Sequence, residues 1–334
     1  MNTYYDKDAN LKHIEELKIA VIGYGIQGRA QALNLRDNKC NVIIGNIEDQ
    51  YSKNAREDNF EVTSIADATK KSSIIMILIP DQAQKEIYTE SIEKNLETGN
   101  IIIFAHGFSI HFKEIIAPQF IDVCLLAPRM PGKQIREYYL AGGGVPAFID
   151  VYQDSSGNAW NIIKALAKGI GATRAGAMHI TFKEETELDL FIEQFLLPTI
   201  IRSIRLSFDV LTKYGFTPEA TLMELFGSGE IGELLLMAAE TGIYRVWRNN
   251  ASPTCQFGIY RNSEKILETE STKKMITNVL EEIRNGSFLK DLANEAQVCY
   301  KNLKEYDDRN EEALITKTQN KIKQIIKYRH HNKE

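Results

Sequence analysis

Cysteine is scarce and scattered in this chain. Its four residues, Cys40, Cys124, Cys255 and Cys299, include no close pair. The spacing therefore holds neither a disulfide framework nor a zinc-type cluster, and reduced thiols in a cytoplasm are the expectation. Long apolar runs are lacking too. Stretches such as Ile74–Pro80 and Ile101–Ala105 fall far below the roughly 20 residues that span a bilayer. The opening MNTYYDKDANLK has no apolar signal core. There is no excess of basic charge: 40 Lys and Arg against 45 Asp and Glu give a net −5, which excludes a nucleic-acid signature. The basic tail Lys321–Lys333 reads as a solvated, fraying helix end. Neither a membrane nor a nucleic acid is an expected partner.

What is present is an ordinary globular composition of a length that suggests about two domains. In the first half, short β-rich runs alternate with helical stretches. The runs are Ile19–Ile22, Asn41–Ile44, Ile74–Ile79, Ile101–Phe104, Val123–Leu126 and Ala147–Asp150. Helical stretches at Gln27–Arg36, Ile65–Lys70 and Gln82–Ser91 lie between the early ones. Such alternation predicts a parallel, doubly wound α/β sheet with its chemistry at the carboxyl ends of the strands. The first strand runs into Gly23-Tyr24-Gly25-Ile26-Gln27-Gly28, the dinucleotide-binding fingerprint. Gly23 permits the tight turn, Gly25 admits the pyrophosphate and Gly28 lets helix and strand pack closely. The cofactor phosphates are then expected at the helix N-terminus. Two other strand ends stand out, around His106 in Phe104–Phe108 and around Arg129 in Ala127–Gly132.

From Phe182 onward the chain reads as helices: Glu184–Tyr214, Pro218–Glu224, Glu230–Glu240, Ser271–Asn285, Phe288–Glu305 and a last one from about Asn310. The predicted division is a dinucleotide-binding domain over residues 1–180 and an all-α domain over 181–334. Thr181 and Glu184 form a capping-box pattern, and the acids that follow suit the helix dipole. Asp189 and Glu193 are less well covered by that account. They lie four apart, on one helix face, among Leu188, Leu190, Phe191, Ile192, Phe195 and Leu196. Carboxylates in so apolar a stretch are costly unless paired or metal-bound. The spacing leaves Mg²⁺ ligation and a buried hydrogen-bonded pair both open.

GYGIQGRAQALNLRD, FAHGFSIHF, APRMPG, REYYLAGGGVPAFIDVYQDSSGNA, AKGIGATRAG and FKEETELDLFIEQ occur in this order. As an ordered set they closely resemble ketol-acid reductoisomerase of branched-chain amino-acid synthesis, from about Tyr5 to Glu193. The resemblance implies a Rossmann domain followed by a knotted helical domain, NAD(P)H, two Mg²⁺ and a dimer or an assembly of dimers. It also implies an active site drawing helices from both subunits. His106 matches the family's active-site histidine, and His111 a second, structural one. Asp189 and Glu193 match its first two metal carboxylates. Ser252 matches the substrate-contacting serine. Gly132, which follows Arg129 in APRMPG, is placed with the cofactor-binding residues.

The departures from the family pattern are specific. Arg129 stands where the family has lysine, keeping the charge but losing a proton donor at neutral pH. Glu224 matches the first of a second carboxylate pair, but Ser228 falls on the other. The glycines around Ser228 make a local kink plausible, after which Glu230 or Glu233 supplies the missing ligand; all three acids can equally be surface residues. Gln256 stands where the family has glutamate. At the ribose end, Glu48 and Asp49 disfavour a 2′-phosphate, whereas Ser52 and Lys53 can hold one; the reading leans slightly to NADH. The expected activity is reductoisomerisation of a 2-acetolactate-type acid. The alternatives are a divergent paralogue that reduces another 2-keto acid and a non-catalytic cofactor-binding homologue.

Overall fold

The computed structural model describes residues 1–266 and 269–325. The chain divides into two compact units, Met1–Leu188 and Asp189 onward. The division falls inside a helix, a few residues past the expected cut between 180 and 181.

The first unit is built on one nine-stranded sheet. Its strands are β1 (Thr3–Tyr4), β2 (Lys18–Ile22), β3 (Asn41–Gly45), β4 (Glu61–Thr63), β5 (Ile74–Ile77), β6 (Ile101–Phe104), β7 (Asp122–Pro128), β8 (Ala147–Gln153) and β9 (Ala177–His179). The spatial order is β1-β9-β8-β7-β6-β5-β2-β3-β4. Strands β2 to β7 are mutually parallel. The helices are α1 (Ile26–Asp37), α2 (Gln50–Glu57), α3 (Ile65–Lys70), α4 (Asp81–Ile87), α5 (Phe108–His111), α6 (Gly132–Leu140), α7 (Ala159–Gly169) and α8 (Phe182–Phe191). Alternate residues of each central strand feed opposite faces. Ile19 and Val21 of β2 join one core cluster with Leu35 of α1 and Leu166 of α7. Ala20 and Ile22 join the other with Ile65 and Ala68 of α3.

The sheet corrects the sequence reading in one respect: β8 runs antiparallel to β7. The nine-residue α6 between them is about 14 Å long, short of the roughly 23 Å of a seven-residue strand. It packs on α1, and the chain re-enters the sheet at the end where it left. The short β1, β4 and β9, also unanticipated, extend the sheet on both sides.

The described part of the second unit is helix and turn. After α8 come α9 (Leu197–Lys213), α10 (Pro218–Leu222), α11 (Glu230–Thr241), α12 (Ile243–Asn250), α13 (Pro253–Ile266), α14 (Glu270–Asn285), α15 (Ser287–Gln297), α16 (Lys301–Glu311) and α17 (Leu314–Lys323). The expected single helix over Glu184–Tyr214 is thus α8 and α9 joined by a π-helical turn, Ile192–Leu196. A second such turn, Met223–Gly227, follows α10. The expected helix over Phe288–Glu305 is two, because Cys299 and Tyr300 adopt left-handed backbone, with φ of +52° and +56°. Phe208, Leu222 and Ile322 form a small core. Of the basic tail Lys321–Lys333, residues beyond 325 lie outside the described part. Among the described residues no helix is long and apolar enough to cross a membrane.

Candidate active site

The glycine loop between β2 and α1 has the geometry its motif requires. Gly23 has φ +92°, where an L side chain is strained. A Cβ on Gly28 would stand 2.0 Å from the carbonyl oxygen of Gly23, whereas one on Gly25 would meet nothing within 4 Å. The loop is closed except where a ligand would approach. Tyr24 points inward: its hydroxyl donates to Asp58 Oδ2 at 2.8 Å, and Arg29 grips the same carboxylate at 2.7 and 3.1 Å. Burial and the Asp58 contact push the Tyr24 phenol well above its ordinary range, and the Arg29 hydrogen bond holds Asp58 below its own. The Tyr24 ring is therefore an anchor beneath the loop. Ile26, by contrast, is 72% exposed at its rim. Gln27 Nε2 donates to the Met130 carbonyl at 3.1 Å. Gly132 packs hard on α1, since its Cβ would lie 2.0 Å from Ile26 O. Gly132 so ties the Arg129 loop to the cofactor loop by close packing.

At the ribose end, the Glu48 carboxylate accepts a fork from Arg56, one arm at 3.0 Å. The hydrogen bonds from Arg56 hold Glu48 below the usual carboxylate range. Ser52 is fully buried. Its backbone N–H donates to Asp49 Oδ1 at 2.9 Å, and its hydroxyl accepts from Asp49 N at 3.1 Å. Asp49 and Ser52 thus form a reciprocal cap on α2. Of the residues read as possible phosphate holders, Ser52 is committed to this cap and Lys53 is exposed.

A second cluster gathers where β5, β6 and β7 end. His106 Nδ1 lies 2.7 Å from Asp81 Oδ2, at the start of α4. The next residue, Gly107, donates its N–H to Glu185 Oε2 of α8 at 2.7 Å. Arg129 Nη1 donates to Glu185 Oε1 at 3.2 Å, and its guanidinium lies 5.0 Å from the Phe148 ring centroid. A planar fork does both jobs at once; a lysine ammonium would not stack. Thr181 caps α8, accepting from Glu184 N at 3.1 Å. Asp150 accepts the Phe182 N–H at 2.9 Å, which fixes the helix against the sheet. Asp189 follows Glu185 by one turn of the same α8. His106, Glu185 and Asp189 each offer one ligand atom, all within 4.8 Å of one another. Two carboxylates and an imidazole are a donor set that fits a divalent cation.

Sequence reasoning missed Asp81 and Glu185. Asp81 was signalled by its place just past a strand end. Glu185 was absorbed into the helix-dipole account of the acids near Thr181, although it sits four residues before Asp189. His111 is half-buried, and its pKa is lowered, chiefly by desolvation; Lys183 adds to the shift and Glu187 opposes it.

The other expected site residues belong to the second unit. Glu193 is exposed and lies in the π-helical turn after α8, not in the α-helix itself. Glu224 is exposed in the turn Met223–Gly227. The kink foreseen around Ser228 is present: Gly229 has φ +82° and starts α11. Glu230 follows, exposed, its N–H donating to Ser228 Oγ at 3.4 Å. Ser252 caps α13 by accepting from Cys255 N at 3.3 Å. Gln256 Nε2 donates to the Ala251 carbonyl at 2.8 Å.

Residues 13–176 match the family model described as acetohydroxy acid isomeroreductase, NADPH-binding domain. Residues 182–328 match ketol-acid reductoisomerase, C-terminal domain. The chain belongs to the ketol-acid reductoisomerase family. It is 43% identical over 289 residues to a ketol-acid reductoisomerase (NADP(+)) of Clostridioides difficile strain 630, covering 86% of this chain and 87% of that one. It is 44% identical over 293 residues to the protein of the same name from Petrotoga mobilis, covering 87% and 88%. A solved NADH-preferring ketol-acid reductoisomerase from an uncultured archaeon superposes with a TM-score of 0.93 at 32% identity, covering 98% of this chain and all of that one. The relatives thus differ in the cofactor that their names carry, which gives the ribose-end geometry its importance.

Proposed function

We propose that this protein is a ketol-acid reductoisomerase that rearranges a 2-acetolactate-type 2-hydroxy-3-keto acid and reduces the product to a 2,3-dihydroxy acid. The place of this chemistry is valine and isoleucine synthesis in the cytoplasm. The observation that carries the reading is the buried Glu185 carboxylate, one helical turn from Asp189 and bonded to the Gly107 N–H beside His106, in a chain matched by both family models. When bound, Mg²⁺ supplies Lewis-acid polarisation of the substrate oxygens and the reduced nicotinamide supplies hydride. The protein's own groups bind and orient. The open face at Gly25 and the N-terminus of α1 receive the pyrophosphate. Glu48 accepts from the ribose hydroxyls and disfavours a 2′-phosphate, so NADH serves at least as well as NADPH. Arg129 braces Glu185 and keeps the site positive, His106 hydrogen-bonds at the reacting end, and Ser252 contacts substrate. Asp189 and Glu193 hold the cation, with Glu224 and Glu230 reaching the site from a second copy in a homodimer. Two close Mg²⁺ ions repel, and a third carboxylate offsets that repulsion where Ser228 cannot.

Ser228 also favours a second reading, a divergent reductase without the isomerase step. Turnover of 2-acetolactate and, separately, of its rearranged 2-keto acid, each with NADH or NADPH and with or without Mg²⁺, decides between them. Reduction of both substrates supports the reductoisomerase. Reduction of the keto acid alone supports the divergent enzyme, and turnover of neither leaves a binding homologue. Glu230→Gln should weaken Mg²⁺ binding; an unchanged affinity removes Glu230 from the site.

A further inference from the structure

Behind His106 lies a chain of hydrogen bonds whose direction can be read link by link. Ser109 is 1% exposed and Gln84 3% exposed. The Ser109 hydroxyl donates to Gln84 Oε1 at 2.7 Å. The Gln84 amide must then present its two N–H bonds elsewhere: one to the Ile79 carbonyl at 3.1 Å and one to Asp81 Oδ1 at 2.9 Å. Gln84 is thereby fully satisfied, and its orientation is set by the network. Asp81 Oδ1 is engaged, so Oδ2 is the oxygen presented to His106 Nδ1, at 2.7 Å. A carboxylate only accepts, so Nδ1 carries the proton in this pair.

We propose that Asp81, aimed by Gln84 and Ser109, is a positioning residue that fixes His106 in the Nδ1–H tautomer and leaves Nε2 as its acceptor nitrogen. The assignment rests on the reading of His106 as the active-site histidine. The role of such a partner is to fix ring orientation and to raise the basicity of the far nitrogen, whether that nitrogen meets a substrate proton or a cation.

The tautomer can be measured in the full-length protein without substrate. With ¹⁵N-labelled histidine, and the signal assigned by its loss in His106→Gln, the wild type at about pH 8, above the ordinary histidine pKa, should show Nδ1 protonated and Nε2 bare. Asp81→Asn should invert this. Gln84 still donates to the oxygen of the introduced amide, so the N–H of that amide faces the ring and Nδ1 must accept. Turnover of whichever keto acid the enzyme reduces should fall about 10- to 100-fold, as for other groups that orient a functional histidine, with dinucleotide affinity unchanged. Adding Gln84→Glu to Asp81→Asn turns the introduced amide round and should bring the Nδ1 proton back with part of the activity. A wild-type ring protonated at Nε2 or at both nitrogens overturns the proposal. So does an Asp81→Asn enzyme that loses turnover with its tautomer unchanged, or inverts the tautomer with turnover intact. The nitrogen signals do not depend on which substrate is turned over, so they fail or stand separately from the reductoisomerase reading.

Discussion

Helices α7 and α11 are both rich in apolar side chains and place them in opposite settings. In the first unit, α7 buries Ala159, Ile162, Ile163, Ala165, Leu166 and Ala167 against the sheet. In the second, α11 buries no side chain and leaves Ile231, Leu235, Leu236 and Met237 exposed. Helix α9 behaves likewise, with Ile200, Ile201, Leu206 and Val210 exposed and Phe208 alone buried. Fully burying one such side chain is worth about 1.5–3 kcal/mol. Covering the four on α11 would therefore contribute roughly 6–12 kcal/mol, as much as the net stability of a whole domain. A sheet with helices on both faces satisfies its own apolar surface. A helical unit with this much left over depends on cover from outside the single chain, which is why we assign it to a homodimer.

The comparison breaks most sharply on α11. Leu235→Glu should place a charge in that face, convert a dimer to a monomer by light scattering and abolish turnover, while the first unit still binds dinucleotide. A variant that stays dimeric and active would show that α11 is not the covered face. Next in size is Asp189→Asn. Mg²⁺-dependent turnover should fall by more than ~100-fold, beyond the range for groups that merely support a ligand. Dinucleotide binding and oligomeric state should be retained, and unchanged Mg²⁺ affinity would remove Asp189 from the site. A smaller effect is expected within the first unit. Glu48→Gln frees Arg56 from its carboxylate and should raise NADPH affinity relative to NADH about tenfold, or ~1.4 kcal/mol; fluorescence titration reads it directly. The smallest effect concerns His111, whose pKa is lowered by burial. The folded state then binds fewer protons than the unfolded one near the ordinary value, so His111 contributes stability above about pH 6.5 that is lost as the pH falls through it. The drop in Tm between about pH 7.5 and about pH 5.5 should be smaller in His111→Gln than in wild type.

The legible parts of the fold were those with a strong local period or motif. Five of the six anticipated strands are the parallel centre of the sheet, and the glycine loop has the backbone that its three glycines imply. Direction was not legible for β8, because the polarity of a strand depends on where the preceding helix packs. Nor were β1 and β9, two and three residues long, whose pairing is tertiary. At the site, His106 and Arg129 announced themselves at strand ends. Asp81 and Glu185 did not, since their partners lie 25 and 78 residues away. Glu185 also had a sufficient local explanation as a helix N-terminal acid. In the second unit the helices were legible and their joints were not: a π-helical turn leaves no mark in composition.

Those turns also set a rule for anyone who shortens the chain. A π-helical turn holds one residue more than the α-helical path would, and each residue turns a helix by about 100°. Deleting a single residue within Ile192–Leu196 would let α8 and α9 merge into one regular rod. Every side chain from Leu197 to Lys213 would then swing by more than a quarter of a circle against the acids before it. The stripe of Ile200, Ile201 and Val210 would face a new direction with its chemistry unaltered. The extra residue acts as a vernier, setting the angle between the cation-holding end of this long helix and the greasy end that faces outward.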